Sequence, residues 1–309
     1  MTGQRIVSFL PSATEMACVL GLEDQLFGVS HECDFPPTVR SKSVVVRSTL
    51  PVEQMTQAEI DAAVSARLRD GLSLYAVDEA AVLAIEPDLI LTQDLCQVCA
   101  PSGNEVVQIL KLLPSKPKVL YLTPKSLGEI FANLLELGQA TGQFRKAAEL
   151  KKEYETRLSK LAAITAPLHR YRVFCMEWTD PVYCCGHWIP EMVRIAGGQD
   201  DLGREGADSV RISWQEVLDY QPEVLIVMPC GYGLAKSAEL ARSLFDRPGW
   251  AELPAVREQR VFAVDANSYF ARPGPRVVEG AELLAHLIHP HAVGWNSPAA
   301  FELITPMMG

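Results

Sequence analysis

The sequence predicts an α/β protein of two Rossmann-like lobes joined by one long backbone helix, with a ligand cleft between the lobes. Residues 143–161 set Phe144, Ala147, Leu150, Tyr154, Leu158 and Leu161 against Arg145, Lys146, Lys151, Lys152 and Lys160. This is the pattern of an amphipathic helix, about 30 Å long at about 1.5 Å per residue. On either side of it, AVLAIEPDLILT (81–92) and EVLDYQPEVLIVM (216–228) resemble each other. Each runs from an apolar helix end through Pro87 or Pro222 and an acidic residue into a short β-rich run, because proline cannot continue a helix. Finally, the polar, cysteine-rich and aromatic-rich loops follow predicted strands, and doubly wound sheets bind ligands outside those carboxyl ends. The expected division is a lobe over 1–125, a helical linker over 126–166 and a second lobe over 167–309.

Taken in order, 5–10 reads as the first strand, and Ser12 or Thr14 is expected to cap the helix that runs to Gly21. Strands follow at 26–29 and 44–46, then helices at 56–68 and 78–85, and a strand at 88–92. A helix over 104–113 and a strand over 118–122 complete the first lobe. Ser126 with Glu129 three residues later has capping-box spacing and opens a helix that breaks at Thr141-Gly142. After the long helix, strands are expected at 171–177, 224–228 and 261–264, with helices at 189–196 and 276–288.

At 309 residues with 48 % hydrophobic and 21 % charged content, the chain is long enough for two cores. A net charge of −10 with no basic stripe excludes nucleic acid as the main partner. Apolar runs are of strand length, so no membrane insertion is expected. The opening MTGQRIVSFLPSATE enters a strand without the basic, apolar and small-residue pattern of a signal peptide. The expected location is therefore cytoplasmic, with a periplasmic or extracytoplasmic one if a signal was removed.

Several longer strings carry a family resemblance: RIVSFLPSATEMACVLGLEDQLFGVSHECDFP, IEPDLILT, GHWIPEMVRIAGGQD and SYFARPGPRVVEG. In this order and spacing the chain resembles the helical-backbone (class III) ABC-transporter substrate-binding proteins, in particular the vitamin B12 and iron-siderophore binding group. The resemblance spans nearly the whole chain. It implies a non-enzymatic solute-binding protein that closes on a corrinoid or other metal chelate by limited hinge motion, with an ABC permease as partner. It also implies acidic docking residues on each lobe; Glu79 stands at the first such position, and Ala271 occupies the second.

The residues themselves name the ligand candidates. Trp178, Tyr183, Trp188, Tyr232, Tyr269 and Phe270 lie on or beside strand ends, where flat aromatic walls suit a large apolar macrocycle. Arg272 is placed to meet anionic groups of such a ligand, and Pro11, Ser12 and Thr14 belong to the loop after the first strand. His31 and His187 are candidate axial donors to a chelated metal. The same aromatics are also ordinary core material.

A competing reading uses the thiols. His31, Cys33, Cys96, Cys99, Cys184, Cys185 and His187 are soft donors at short spacing, suited to zinc or iron. The alternative is that each merely stabilises its own turn. Cys96-x-x-Cys99 between a strand and a helix also has the spacing of a dithiol redox site. No cofactor is required by the first reading; a bound corrinoid, zinc or iron is the expected addition. Glu177 and Asp180 are read as structural carboxylates, since no nucleophile with its base accompanies them.

Overall fold

The computed structural model describes residues 3–93 and 103–305. Contacts divide the chain into two compact units, Met1–Pro124 with Gly128–Lys151, and Lys125–Leu127 with Lys152–Gly309.

The first unit contains β1 (Ile6–Ser8), α1 (Pro11–Val19), β2 (Leu26–Ser30), β3 (Ser43–Ser48), α2 (Gln57–Arg69), β4 (Tyr75–Val77), α3 (Glu79–Ile85), β5 (Leu89–Thr92), α4 (Gly103–Leu112) and β6 (Lys118–Tyr121). Its sheet has the order β4-β3-β2-β1-β5-β6. All neighbours are parallel except β4, which runs antiparallel to β3 and closes that edge. Strands β1 and β5 are buried along their whole length, as expected of a parallel sheet with helices on both faces. Val7, Phe9, Val45, Val82, Ile90 and Ile109 make the core between sheet and helices. α5 (Leu127–Ala140) and α6 (Phe144–Thr165) follow, and the division between the units falls within α6, after Lys151.

The second unit continues with β7 (Tyr171–Thr179), β8 (Val182–Cys184), β9 (Gly186–His187), α7 (Ile189–Ile195), β10 (Gly198–Gln199), β11 (Arg204–Glu205), α8 (Trp214–Tyr220), β12 (Val224–Val227), α9 (Leu234–Arg242), α10 (Pro254–Arg257), β13 (Val261–Val264), α11 (Ala266–Tyr269), α12 (Val277–Ile288) and β14 (Phe301–Leu303). The order β10-β7-β12-β13-β14 is parallel up to β13, with β14 antiparallel at the edge and β8 folded back on β7. Phe174, Met176, Val217, Leu225, Val227 and Trp250 fill its core.

The internal resemblance is a structural repeat. α3 and α8 each have seven residues, and each starts from a side-chain cap, Asp78 or Ser213. Each ends on a non-glycine residue in the left-handed region, Glu86 (φ 47°) or Gln221 (φ 52°). The right-handed helical conformation is disfavoured before Pro87 and Pro222, so the chain leaves the helix at that residue and enters β5 or β12.

Some local expectations are corrected. α1 begins at Pro11, and its cap position is Leu10 with no side-chain bond, so neither Ser12 nor Thr14 caps it. Proline is suited to the first helical position, where no donor is needed. β7 runs two residues further than expected, to Thr179, because β8 pairs with its end (Trp178 opposite Tyr183, Thr179 opposite Val182). Tyr183 is therefore a strand residue, as is His187.

Candidate functional site

In the second unit the parallel strands β7, β12 and β13 deliver their carboxyl ends to one edge. Three loops leave from there, and they are tied together. Asn267 N–H donates to Tyr232 O at 3.2 Å, linking the β13 loop to the β12 loop. Trp188 Nε1–H donates to Phe270 O at 3.0 Å, linking the segment after β9 to the same place. Trp178, at the end of β7, lies against Tyr232 with ring centroids 5.7 Å apart and planes at 33°. Burial pushes the Tyr232 phenol up, so it remains a neutral hydroxyl.

Tyr183, opposite Trp178 in the β7–β8 pair, and Tyr269 and Arg272, beyond β13, are half-buried, and Arg211 is exposed. Arg211 Nε–H donates to the Tyr183 hydroxyl at 2.9 Å, and its guanidinium carbon lies 5.8 Å from that ring's centroid. Tyr269 meets Trp295 edge-on at 5.9 Å. His187 stacks on Trp188 at 5.6 Å and pairs with Asp208.

Two expected wall residues are corrected. Phe270 is 2 % exposed and Trp188 is 6 % exposed. Both rings are core material that supports the loops, and they present no face to a ligand. Aromatic type in a loop does not reveal orientation, and here Trp188 is anchored by its hydrogen bond to the Phe270 carbonyl.

In the first unit, Pro11, Ser12 and Thr14 are buried. Thr14 Oγ1 donates to Leu10 O and lies 3.1 Å from Cys33 Sγ, so it serves the turn beneath the strand ends. His31, just past β2, is half-buried, with Tyr75 at 6.4 Å between ring centroids.

The thiol cluster takes a different form. Cys96 and Cys99 lie outside the described residues. Among the described residues, no group of three or more His, Cys, Asp or Glu side chains is placed to hold a metal ion. Cys184 and Cys185 are buried, and burial pushes both thiols up, so they stay protonated. Cys33 is buried against Thr14.

Two groups were not legible in the sequence. Asp208 faces His187 from 21 residues away, and Ser209 donates to Glu177 Oε2 at 2.6 Å. Neither lies in a string with a recognisable spacing. Glu177 itself is pushed up by burial, with Ser209 working against the shift, and holds its proton more tightly than an ordinary glutamate.

The second unit thus gathers half-buried aromatics at the carboxyl ends of its parallel strands, the edge where doubly wound sheets take their ligands. Residues 6–268 match the periplasmic binding protein family, and the chain belongs to that family. It is 24 % identical over 281 residues to the vitamin B12-binding protein of Vibrio parahaemolyticus, covering 89 % of this chain and 86 % of that one. It is likewise 24 % identical to a Bacillus subtilis protein named an uncharacterized ABC transporter substrate-binding lipoprotein, covering 93 % of this chain and 80 % of the other. Among solved structures, a periplasmic heme-binding protein from Pseudomonas aeruginosa superposes with TM-score 0.75 at 19 % identity, covering 99 % of both chains. The periplasmic vitamin B12-binding protein of Vibrio cholerae gives 0.68 at 23 %, covering 92 % of this chain and 96 % of that one. At these identities the structural likeness establishes the fold.

Proposed function

We propose that the chain is a non-enzymatic solute-binding protein whose cargo is a planar metal chelate of the corrinoid or haem type, received for uptake by an ABC importer. The observation that carries this reading is the Trp178–Tyr232 pair, half-buried on the strand-end face with rings 5.7 Å apart. An aromatic wall gives a flat macrocycle apolar contact, and Arg272 and Arg211 are the candidates for carboxylate or phosphate groups on its rim. The names of the relatives point the same way: vitamin B12 in one set, heme in another, and ABC transport in a third. Those names also favour the extracytoplasmic location over the cytoplasmic one expected from the opening residues. Glu79, exposed at the start of α3, is the candidate contact for a permease.

The test is titration of the purified protein with aquocobalamin and, separately, hemin, following tryptophan fluorescence. Saturable quenching at micromolar ligand is expected for one of them, weakened about 10- to 100-fold by Trp178→Ala, the loss of one well-placed aromatic contact. Absence of saturation with both overturns the reading.

A further inference from the structure

His187 adopts the left-handed backbone conformation, uncommon for a residue that carries a side chain. Its φ is 53°. Its N–H donates to Ala207 O at 2.7 Å, and its carbonyl accepts from Gly206 N–H at 2.9 Å, so both backbone groups are tied to the β11 turn. The residue before it has no room for a side chain: a Cβ on Gly186 would lie 2.3 Å from Ala207 O and 2.6 Å from Ser209 N. A non-glycine residue in the left-handed region persists where the surroundings over-determine it, and such positions gather at ligand clamps.

The side chain is fixed as firmly as the backbone. Nε2 lies 3.2 Å from Asp208 Oδ1, and the ring stacks at 30° on Trp188, which is anchored in turn to Phe270 O. With Nε2–H donated to the carboxylate, the lone pair of the neutral ring sits on Nδ1. That atom has no partner among the described residues and is not among the buried polar atoms left without one, so it opens to solvent. A carboxylate behind a histidine fixes its tautomer and raises the basicity of the other nitrogen, which is how proteins prepare imidazole for a metal.

We infer that His187 Nδ1 is an axial donor to the metal of the bound chelate and that Asp208 is its positioning residue. This rests on the chelate reading above and narrows the cargo to macrocycles whose metal has an exchangeable axial position, such as an iron porphyrin or an aquo-corrinoid. The step is a ligand substitution. The imidazole lone pair forms the metal–nitrogen bond, the axial water leaves with its own electron pair, and the metal keeps its oxidation state.

The test reads the metal's absorption spectrum and tryptophan quenching in the same titration, with hemin and aquocobalamin as separate probes. The wild-type protein is expected to give the spectrum of a nitrogen-ligated metal with the probe it binds. His187→Gly, which accepts the backbone conformation, is expected to quench saturably at 10- to 100-fold higher ligand, to lose the nitrogen-ligation bands, and to regain them on addition of free imidazole. Asp208→Asn is expected to keep ligation with weakened affinity. Quenching with a wild-type spectrum that retains axial water overturns the inference, as does a His187→Gly spectrum identical to wild type; in both cases the chelate reading survives. No quenching with either probe in the wild-type protein overturns the chelate reading and the inference with it.

Discussion

Glu223 and Arg172 clasp each other where β7 and β12 begin. Arg172 N–H donates to Glu223 Oε2 at 2.9 Å, and Glu223 N–H donates to Arg172 O at 2.8 Å. The first unit repeats this with Asp88 and Arg5: Arg5 N–H reaches Asp88 Oδ2 at 2.8 Å, and Asp88 N–H reaches Arg5 O at 2.8 Å. The acidic residue after each proline thus caps the edge between two parallel strands. Loss of the carboxylate in Glu223→Ala or Asp88→Ala removes a charge-assisted bond to a backbone donor and is expected to cost about 1–2 kcal/mol each. Urea denaturation of the single variants checks it, and similar losses at the two sites would show that the repeat extends to energetics.

Arg157 on α6 makes a fork to α12. Its Nε and Nη2 donate to the two oxygens of Glu282 at 3.0 and 2.7 Å, and Nη1 donates to Glu279 Oε1 at 3.2 Å. Glu279 Oε2 is already buried without a partner. Arg157→Ala strands both carboxylates and is expected to destabilise by about 2 kcal/mol, a figure set between exposed and buried ion pairs. Arg157→Lys should recover only part of this, since an ammonium cannot reproduce the planar fork. Thermal unfolding of the two variants measures the difference.

Asp200 supplies the pH dependence. Its carboxyl accepts from Gly203 N–H at 2.9 Å and Cys175 N–H at 3.3 Å, and burial pushes it up from an ordinary 3.8 to about 7. The folded state therefore holds this proton more tightly than the unfolded chain does. Between pH 4 and 7 the native state binds more protons, so stability falls as pH rises through that window and levels off above it. Glu177, raised by burial, adds the same sign. The urea midpoint should be lower at pH 8 than at pH 5, and Asp200→Asn should flatten the difference.

Gly186 is fixed by contact. A methyl group there would press on the backbone of 207–209 at 2.3–2.8 Å, atoms that cannot give way cheaply. Gly186→Ala is expected to cost about 3 kcal/mol or more and to move His187 off its pairing with Asp208. Thermal unfolding reads the first effect, and the probe spectra of His187 read the second.

The sequence made the parallel framework legible because β1, β5 and β12 are continuous apolar runs bounded by proline or polar residues. The small strands were not legible. β9 and β11 have two residues each, paired Gly186 to Arg204 and His187 to Glu205, too short to carry a period. β4 and β14 owe their pairing to the sheet edges they cover. In the site, Trp178, Tyr183, His187 and Tyr232 were legible as strand-end residues. Which aromatics are buried was not, since Trp188 is anchored by a hydrogen bond formed across 82 residues.

Cys230 sits two residues before Tyr232 in the loop after β12 and is half-exposed, whereas Cys33, Cys175, Cys184 and Cys185 are buried. Cys18, the other half-exposed thiol among the described residues, is pushed up to about 12 and reacts slowly at neutral pH. A maleimide dye offered to the native fold at neutral pH is thus steered toward Cys230 in preference to the other described thiols. Tethered beside the Trp178–Tyr232 wall, it would turn the protein into an optical reporter of its own cargo, brightening or dimming with occupancy and needing no engineered cysteine.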